Sequence, residues 1–158
     1  MKTIRERIDV KAHLLDAFDF AQNYANRKTW DPFLARLDEG NISLPAVGTQ
    51  LRLIAGGGLK MECEYLKYDR PRCVTIQMAK GPRFLKHFTG TWRFIYIDAE
   101  RTAVVHLYNY EMEKGWQWVQ PMVETYFRWD MQRRLTALKN GLEQEVNLLD
   151  ELEHRLLA

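Results

Sequence analysis

Between residues 122 and 142 the apolar side chains Val123, Phe127, Met131, Leu135, Leu138 and Leu142 recur at three- and four-residue steps. That spacing puts them on one face of a helix. Arg128, Gln132, Arg133 and Lys139 fall mostly elsewhere around it, and Pro121 stands near its start, where a missing N–H costs little. A helix of about 20 residues is roughly 30 Å long, enough to lie across a small sheet.

The chain ahead of this helix mostly alternates. Residues 3–10 place Ile4, Ile8 and Val10 on one side of a strand. Leu14, Ala17, Phe18 and Ala21, with Leu15 beside them, space a helix over residues 11–21, and Asn23 and Asn26 suit its end. Trp30-Asp31-Pro32-Phe33 closes the short turn that follows. Its proline drives Asp31 out of the helical region, and Trp30 is large enough to anchor the turn on a core.

Residues 34–113 read as an antiparallel meander. An edge strand is predicted over 34–42, broken by Pro45 and Gly48. Leu51 and Leu53 alternate in 49–55, and Gly56-Gly57-Gly58 turns the chain. Met61, Cys63 and Tyr65 alternate with Glu62 and Glu64; Asp69-Arg70-Pro71 is the next turn. Val74, Ile76 and Met78 share a side of the following strand, which ends at Gly81-Pro82. Phe88, Gly90, Trp92 and Phe94 share a side of 84–97, and Val104, His106, Tyr108 and Tyr110 share a side of 102–112. A sheet with one apolar face must cover it, and the terminal helix is the element long enough. The predicted class is α+β: a curved antiparallel sheet of about seven strands around a long C-terminal helix, with two short helices after the first strand. A pocket between curved sheet and crossing helix is expected.

The totals narrow the picture. The 158 residues fit one domain, here 1–144, with 145–158 as a helical extension. No apolar run approaches the roughly 18 residues of a membrane span. The first residues lack the apolar stretch of a secretory signal, so a cytoplasmic setting without stable membrane insertion is expected. A net charge of +2, from 23 basic and 21 acidic residues, is too balanced to predict a nucleic-acid partner. The basic stretch Lys80, Arg83, Lys86 reads as a solvated turn. Cys63 and Cys73 form no CxxC and read as reduced, semi-buried thiols on neighbouring strands. His13, His87, His106 and His154 lack metal-ligand spacing, and neither metal nor cofactor is expected.

Several strings then resemble a known superfamily. They are Phe18-Asp19-Phe20 with Trp30-Asp31-Pro32-Phe33, Val47-Gly48-Thr49, Glu64-Tyr65 through Arg70-Pro71-Arg72, Phe88-Thr89-Gly90-Thr91-Trp92-Arg93-Phe94, and residues 130–139. In order and spacing, over residues 3–144, they resemble the SRPBCC superfamily: START-related and pollen-allergen-like helix-grip proteins, polyketide cyclases and dehydrases, and lipid carriers. The resemblance implies a seven-stranded sheet gripping a long C-terminal helix around an apolar cavity. It implies no single activity, because members bind lipids, sterols or polyketides, act as aromatase/cyclases, or work as co-chaperones and toxins. No catalytic motif carries over residue by residue. The glycine run is a plain turn, not the phosphate-binding GxxxxGK[ST].

The chemistry centres on His106, Tyr108 and Tyr110. Parity alone does not orient them, since Val105 and Leu107 are also apolar; the family pattern puts the even-numbered set inward. Buried and unpartnered, such groups each cost about 1–3 kcal/mol, so they must find partners. They are a satisfied core histidine with packed tyrosines, or the polar groups of a ligand pocket, or an acid/base site. In the last, His106 transfers a proton at an enolisable ketone and Tyr108 or Tyr110 donates to the enolate. The candidate lining is Met61, Cys63, Tyr65, Met78, Phe88, Trp92, Phe94, His106, Tyr108, Tyr110, Tyr126 and Phe127, around a small hydrophobic or aromatic molecule.

Trp116, Trp118, Tyr126 and Trp129 form a pocket mouth, a patch for a partner or membrane surface, or a cap on the open sheet end. Asp130 and Arg133 read as a surface ion pair of about 0.3–0.5 kcal/mol. Beyond the domain, Leu149, Leu152 and Leu156 continue the heptad of Leu135, Leu138 and Leu142, with Glu145 interrupting. Gly141 weakens the helix and is read as a bend. The tail then packs back or pairs with a second subunit. The functional expectation is cavity binding of a hydrophobic ligand. The alternatives are a polyketide cyclase/dehydrase-type enzyme using His106, or an interaction module acting through the tail.

Overall fold

A computed structural model describes residues 1–38, 45–55 and 58–158. Strand β1 (Lys2–Val10) is followed by helices α1 (Leu14–Gln22) and α2 (Tyr24–Trp30). Strands β2 (Leu34–Asp38), β3 (Gln50–Ala55), β4 (Lys60–Asp69), β5 (Cys73–Lys80), β6 (Leu85–Asp98) and β7 (Arg101–Met112) come next. A short 3₁₀ turn, Gln117–Val119, leads into α3 (Gln120–Leu157). Residues 39–42 of the expected edge strand, residues 43 and 44 after it, and Gly56 and Gly57 of the expected turn lie outside the described residues.

The strands form one antiparallel seven-stranded sheet in the order β1-β7-β6-β5-β4-β3-β2. The middle strands make the meander that the alternation predicts, and β1 closes on β7 with Ile4 opposite Tyr108. Helix α3 lies against β1 and β7 and touches α1 and α2. Its stripe does what the spacing requires: Met131, Leu135, Leu138 and Leu142 are buried in one core cluster with Ile4, Val10, Ala17 and Phe18. Pro sits in its first turn.

Local signals account for the joints. His13 caps α1, its Nδ1 accepting from the Leu15 N–H at 3.2 Å. Asn23 ends α1 and caps α2 by accepting from the Ala25 N–H. Asp31 is extended, at φ −82° and ψ 107°, as the following proline demands.

Helix α3 runs through Gly141 to Leu157, 38 residues in all, about 57 Å at 1.5 Å per residue, and other expectations change. The glycine serves close approach: a Cβ there would lie 3.3 Å from both Phe20 Cζ and Trp30 Cβ. Cys63 and Cys73 are unpaired, on β4 and β5 as read, but fully rather than partly buried. Asp130 is not on the surface; it is 1 % exposed, because its step along α3 turns it toward β7.

Candidate functional site

The even-numbered face of β7 points inward. Val104, His106, Tyr108 and Tyr110 are all buried. The His106 ring stacks on Trp92, its cross-strand neighbour on β6, at 3.8 Å. Its Nδ1 lies 2.9 Å from the Thr91 carbonyl, which can only accept, so Nδ1 carries the proton. The Nε2 lone pair accepts from Nη1 of Arg134 at 3.3 Å.

Arg134 organises the interior. From α3 its Nε and Nη2 donate to Asp31 Oδ1 and Oδ2 at 3.0 and 2.9 Å, a bidentate fork on a carboxylate 103 residues earlier. Its Nη1 also donates to the Tyr108 hydroxyl at 2.7 Å. The Tyr108 hydroxyl in turn donates to Asp130 Oδ2 at 3.1 Å, and Asp130 Oδ1 accepts from Arg133 Nη2 at 3.0 Å. Arg27 donates to Asp31 Oδ2 from the other side at 3.1 Å and lies over the rings of Tyr24, Trp30 and Trp92. Arg27, Asp31, Asp130 and Arg134 are each at most 6 % exposed. Two cations and two anions therefore balance in the core, as buried charges must.

The electrostatics follow. Burial alone would raise the Asp31 carboxyl, but the Arg134 and Arg27 guanidiniums overcome it and hold the group below the usual carboxylate range. Burial, reinforced by the Arg134 charge, holds the His106 imidazole well below its ordinary value. Burial raises the Tyr108 phenol, against the pull of Arg134. His106 is thus a neutral ring with its lone pair engaged. Both ring nitrogens, which an acid/base role would use, are hydrogen-bonded within the core, Nδ1 to the Thr91 carbonyl and Nε2 to Arg134.

Beside this network the sheet and the first turns of α3 enclose a cavity of about 380 Å³. Phe33, Met61, Phe84, Leu85, Phe88, Val123 and Phe127 form apolar walls, and Tyr108 and Asp130 supply its inner polar patch. Trp116, Met122 and Tyr126 stand at the mouth, 42 %, 71 % and 49 % exposed. A smaller recess of about 40 Å³ continues inward past Phe33, Met61, Phe88 and Tyr108 to Cys63, Trp92, His106 and Arg134.

With this geometry the chain matches one family, polyketide cyclase/dehydrase and lipid transport, over residues 1–143. The chain belongs to that family. No curated protein matches. Among solved structures, an aromatase/cyclase from Streptomyces sp. R1128 is similar at a TM-score of 0.77 and 17 % identity, over 92 % of this chain and 95 % of that one. A START superfamily protein from Mycobacterium smegmatis is similar at 0.75 and 14 %, over 90 % and 97 %. Norcoclaurine synthase from Thalictrum flavum is similar at 0.71 and 15 %, over 91 % and 95 %. At such identities these likenesses establish the shared fold.

In this family member the expected lining residues divide. Met61, Phe88, Tyr108, Tyr126 and Phe127 line the main cavity. Cys63, Trp92 and His106 line the inner recess. Tyr65, Met78, Phe94 and Tyr110 line neither. The Tyr65 hydroxyl is hydrogen-bonded to that of Tyr24, and the Phe94 ring meets Phe18 edge-on at 5.2 Å. Tyr110 packs on Phe127 and borders a separate pocket beside Met1 and Lys2. Of the four clustered aromatics, Trp116 and Tyr126 border the mouth; Trp118 and Trp129 do not.

Arg134, Asp31 and Arg27 went unread in the sequence. Arg134 carried a signal: it falls between Met131 and Leu138 on the apolar stripe, where a charge needs a buried partner. Among the described residues no cluster of three metal-ligating side chains occurs, and no helix is long and apolar enough to cross a membrane.

Proposed function

We propose that this protein binds a small, largely apolar or aromatic molecule in the cavity between its sheet and α3. The observation that carries the reading is the cavity itself. It has about 380 Å³ of space walled by aromatic and aliphatic side chains with one polar patch at its inner end, the form of a small-molecule site. His106, which the enzymatic alternative requires, does not border the main cavity, so the reading is binding rather than acid/base catalysis by this residue.

The test is native mass spectrometry of the purified protein with release of anything retained, followed by titration with an environment-sensitive apolar dye. Saturable binding at one site per chain, lost when Val123→Trp fills the cavity while the circular dichroism spectrum is kept, is the expected result. Dye binding that does not saturate, or that Val123→Trp leaves intact, refutes it.

Two further elements belong to this reading. A cytoplasmic setting is supported by the two unpaired thiols. Pairing of the tail with a second copy is supported by Leu149, Leu152 and Leu156, 56 %, 45 % and 85 % exposed, which carry the buried stripe of α3 beyond the domain. Sedimentation of a Leu152→Glu variant tests it; a monomeric wild type refutes it.

A further inference from the structure

The polar patch of the cavity has a hydrogen-bonding sense. A hydroxyl offers one donor and two lone pairs, and a carboxylate only accepts. Arg134 Nη1, 2.7 Å from the Tyr108 oxygen, can only donate, so it takes one lone pair. The Tyr108 proton is committed to Asp130 Oδ2 at 3.1 Å. Asp130 Oδ1 already accepts from Arg133 Nη2, and Arg133 does not border the cavity. What remains toward the space is one lone pair on Tyr108 and those left on Asp130. The other polar atoms of the lining side chains, on Tyr126 and Trp116, stand at the half-exposed mouth. The inner patch therefore accepts and does not donate.

Charge narrows the choice. Behind the patch stand Arg27, Arg133 and Arg134 against Asp31 and Asp130. The Arg133 side chain is 36 % exposed, and the buried Arg27 and Arg134 already balance Asp31 and Asp130, so a bound ammonium adds an uncompensated charge to the interior. A carboxylate brings a like charge against Asp130 and finds no donor. A ketone finds no donor either.

Resting on the cavity-binding reading above, we propose that the site selects a ligand whose buried end is a neutral hydrogen-bond donor: a phenol or alcohol on a largely apolar frame. Tyr108 and Asp130 receive its proton, and Phe33, Phe88 and Phe127 hold its body.

The experiment is a ladder of bicyclic probes that share one frame and differ at one group: naphthol, naphthalene, acetonaphthone, naphthoate and naphthylmethylammonium. Each is titrated into the full wild-type chain at neutral pH by calorimetry. Naphthol is expected to bind at least about tenfold more tightly than each of the others, since a site built around one hydrogen bond rejects analogues that cannot make it. Naphthol and naphthalene binding equally overturns the donor preference and leaves the cavity reading intact. So does a preference for naphthoate, acetonaphthone or the ammonium. If no probe binds saturably, the cavity reading falls and this proposal with it. Asp130→Asn, whose amide supplies a donor, is expected to narrow the gap between naphthol and acetonaphthone. An unchanged gap in the folded variant counts against the assignment of the patch.

Discussion

Replacing Arg134 by methionine tests the buried network directly. The change keeps the length of the side chain and removes the guanidinium. Asp31 loses two charge-assisted hydrogen bonds and keeps the Arg27 Nε at 3.1 Å and the Phe33 backbone N–H at 3.0 Å. His106 Nε2 loses its donor, and the Tyr108 hydroxyl loses one of two partners. Breaking a buried pair from one side costs about 3–5 kcal/mol. Arg27 moderates that loss, while the orphaned imidazole nitrogen adds about 1–3 kcal/mol, so a net loss of about 4 kcal/mol is expected. For a domain of this size each kcal/mol moves Tm by about 2–4 °C, giving a fall of about 8–16 °C. Urea unfolding followed by tryptophan fluorescence and circular dichroism measures it.

The pH dependence supplies a second reading of the same variant. In the wild type Asp31 is held below the ordinary carboxyl value. Its contribution is therefore present above the unfolded pKa and lost as pH falls through the folded one. In Arg134→Met burial is opposed only by Arg27 and the Phe33 N–H, the carboxyl rises, and acidification from about pH 5 to about pH 3 costs the variant less than the wild type. A loss below about 1 kcal/mol, or a difference that does not change with pH, refutes the argument that Arg134 and Asp31 are mutually compensating buried charges.

Other outcomes are equally open to measurement. Gly141→Leu should destabilise by about 1–3 kcal/mol through overpacking, because even a Cβ meets Phe20 and Trp30 at 3.3 Å; a stability gain in chemical denaturation contradicts the close-approach role. Burial pushes the Cys63 thiol up to about 12, and Cys73 is buried as well. An aromatic disulfide reagent at mildly alkaline pH should therefore find no reactive thiol until denaturant is added, then two; prompt reaction in the native state goes against it. His106 should keep its Nδ1–H tautomer across the neutral range in nitrogen NMR, because burial and Arg134 hold it below its ordinary value. The unfolded chain then takes up a proton near pH 6.5 that the folded one refuses, so stability falls on acidification there; a titration midpoint near 6.5 in the folded protein contradicts the Nε2–Arg134 contact.

What the sequence disclosed follows from the range over which each signal acts. Alternation and helical spacing are local, and they found the inward face of β6 and the stripe of α3; on β7 alternation marked two faces, and the family resemblance chose the even-numbered one. Phe88, Trp92, His106 and Tyr108 reached the cavity or its recess for these reasons. Partnership between charges is not local. Asp31 and Arg134 lie 103 positions apart, and neither residue alone announces the other. Asp130 and Arg133, three apart, invited a surface reading; burial is decided by the sheet above them. Tyr65, Phe94 and Tyr110 share their strands' inward faces, but other aromatic rings or a neighbouring hydroxyl take up the space in front of them. Gly141 read as a weak point when judged by propensity alone, and proved to be a position where α3 packs closely on Phe20 and Trp30.

The order of the strands also sets a timetable. Among the described strands β1 pairs only with β7, with Lys2 opposite Tyr110 and Ile4 opposite Tyr108. On a ribosome adding about 5–20 residues per second, the first strand waits about 5–20 seconds for its partner to be made. Asp31 waits about as long for Arg134, 103 positions on. Through that interval the nascent chain carries an unpaired apolar strand and an uncompensated carboxylate. The meander can zip strand by strand as it emerges, whereas the ligand chamber comes into being last, when α3 closes it. A truncated translation product thus has no partial version of the site.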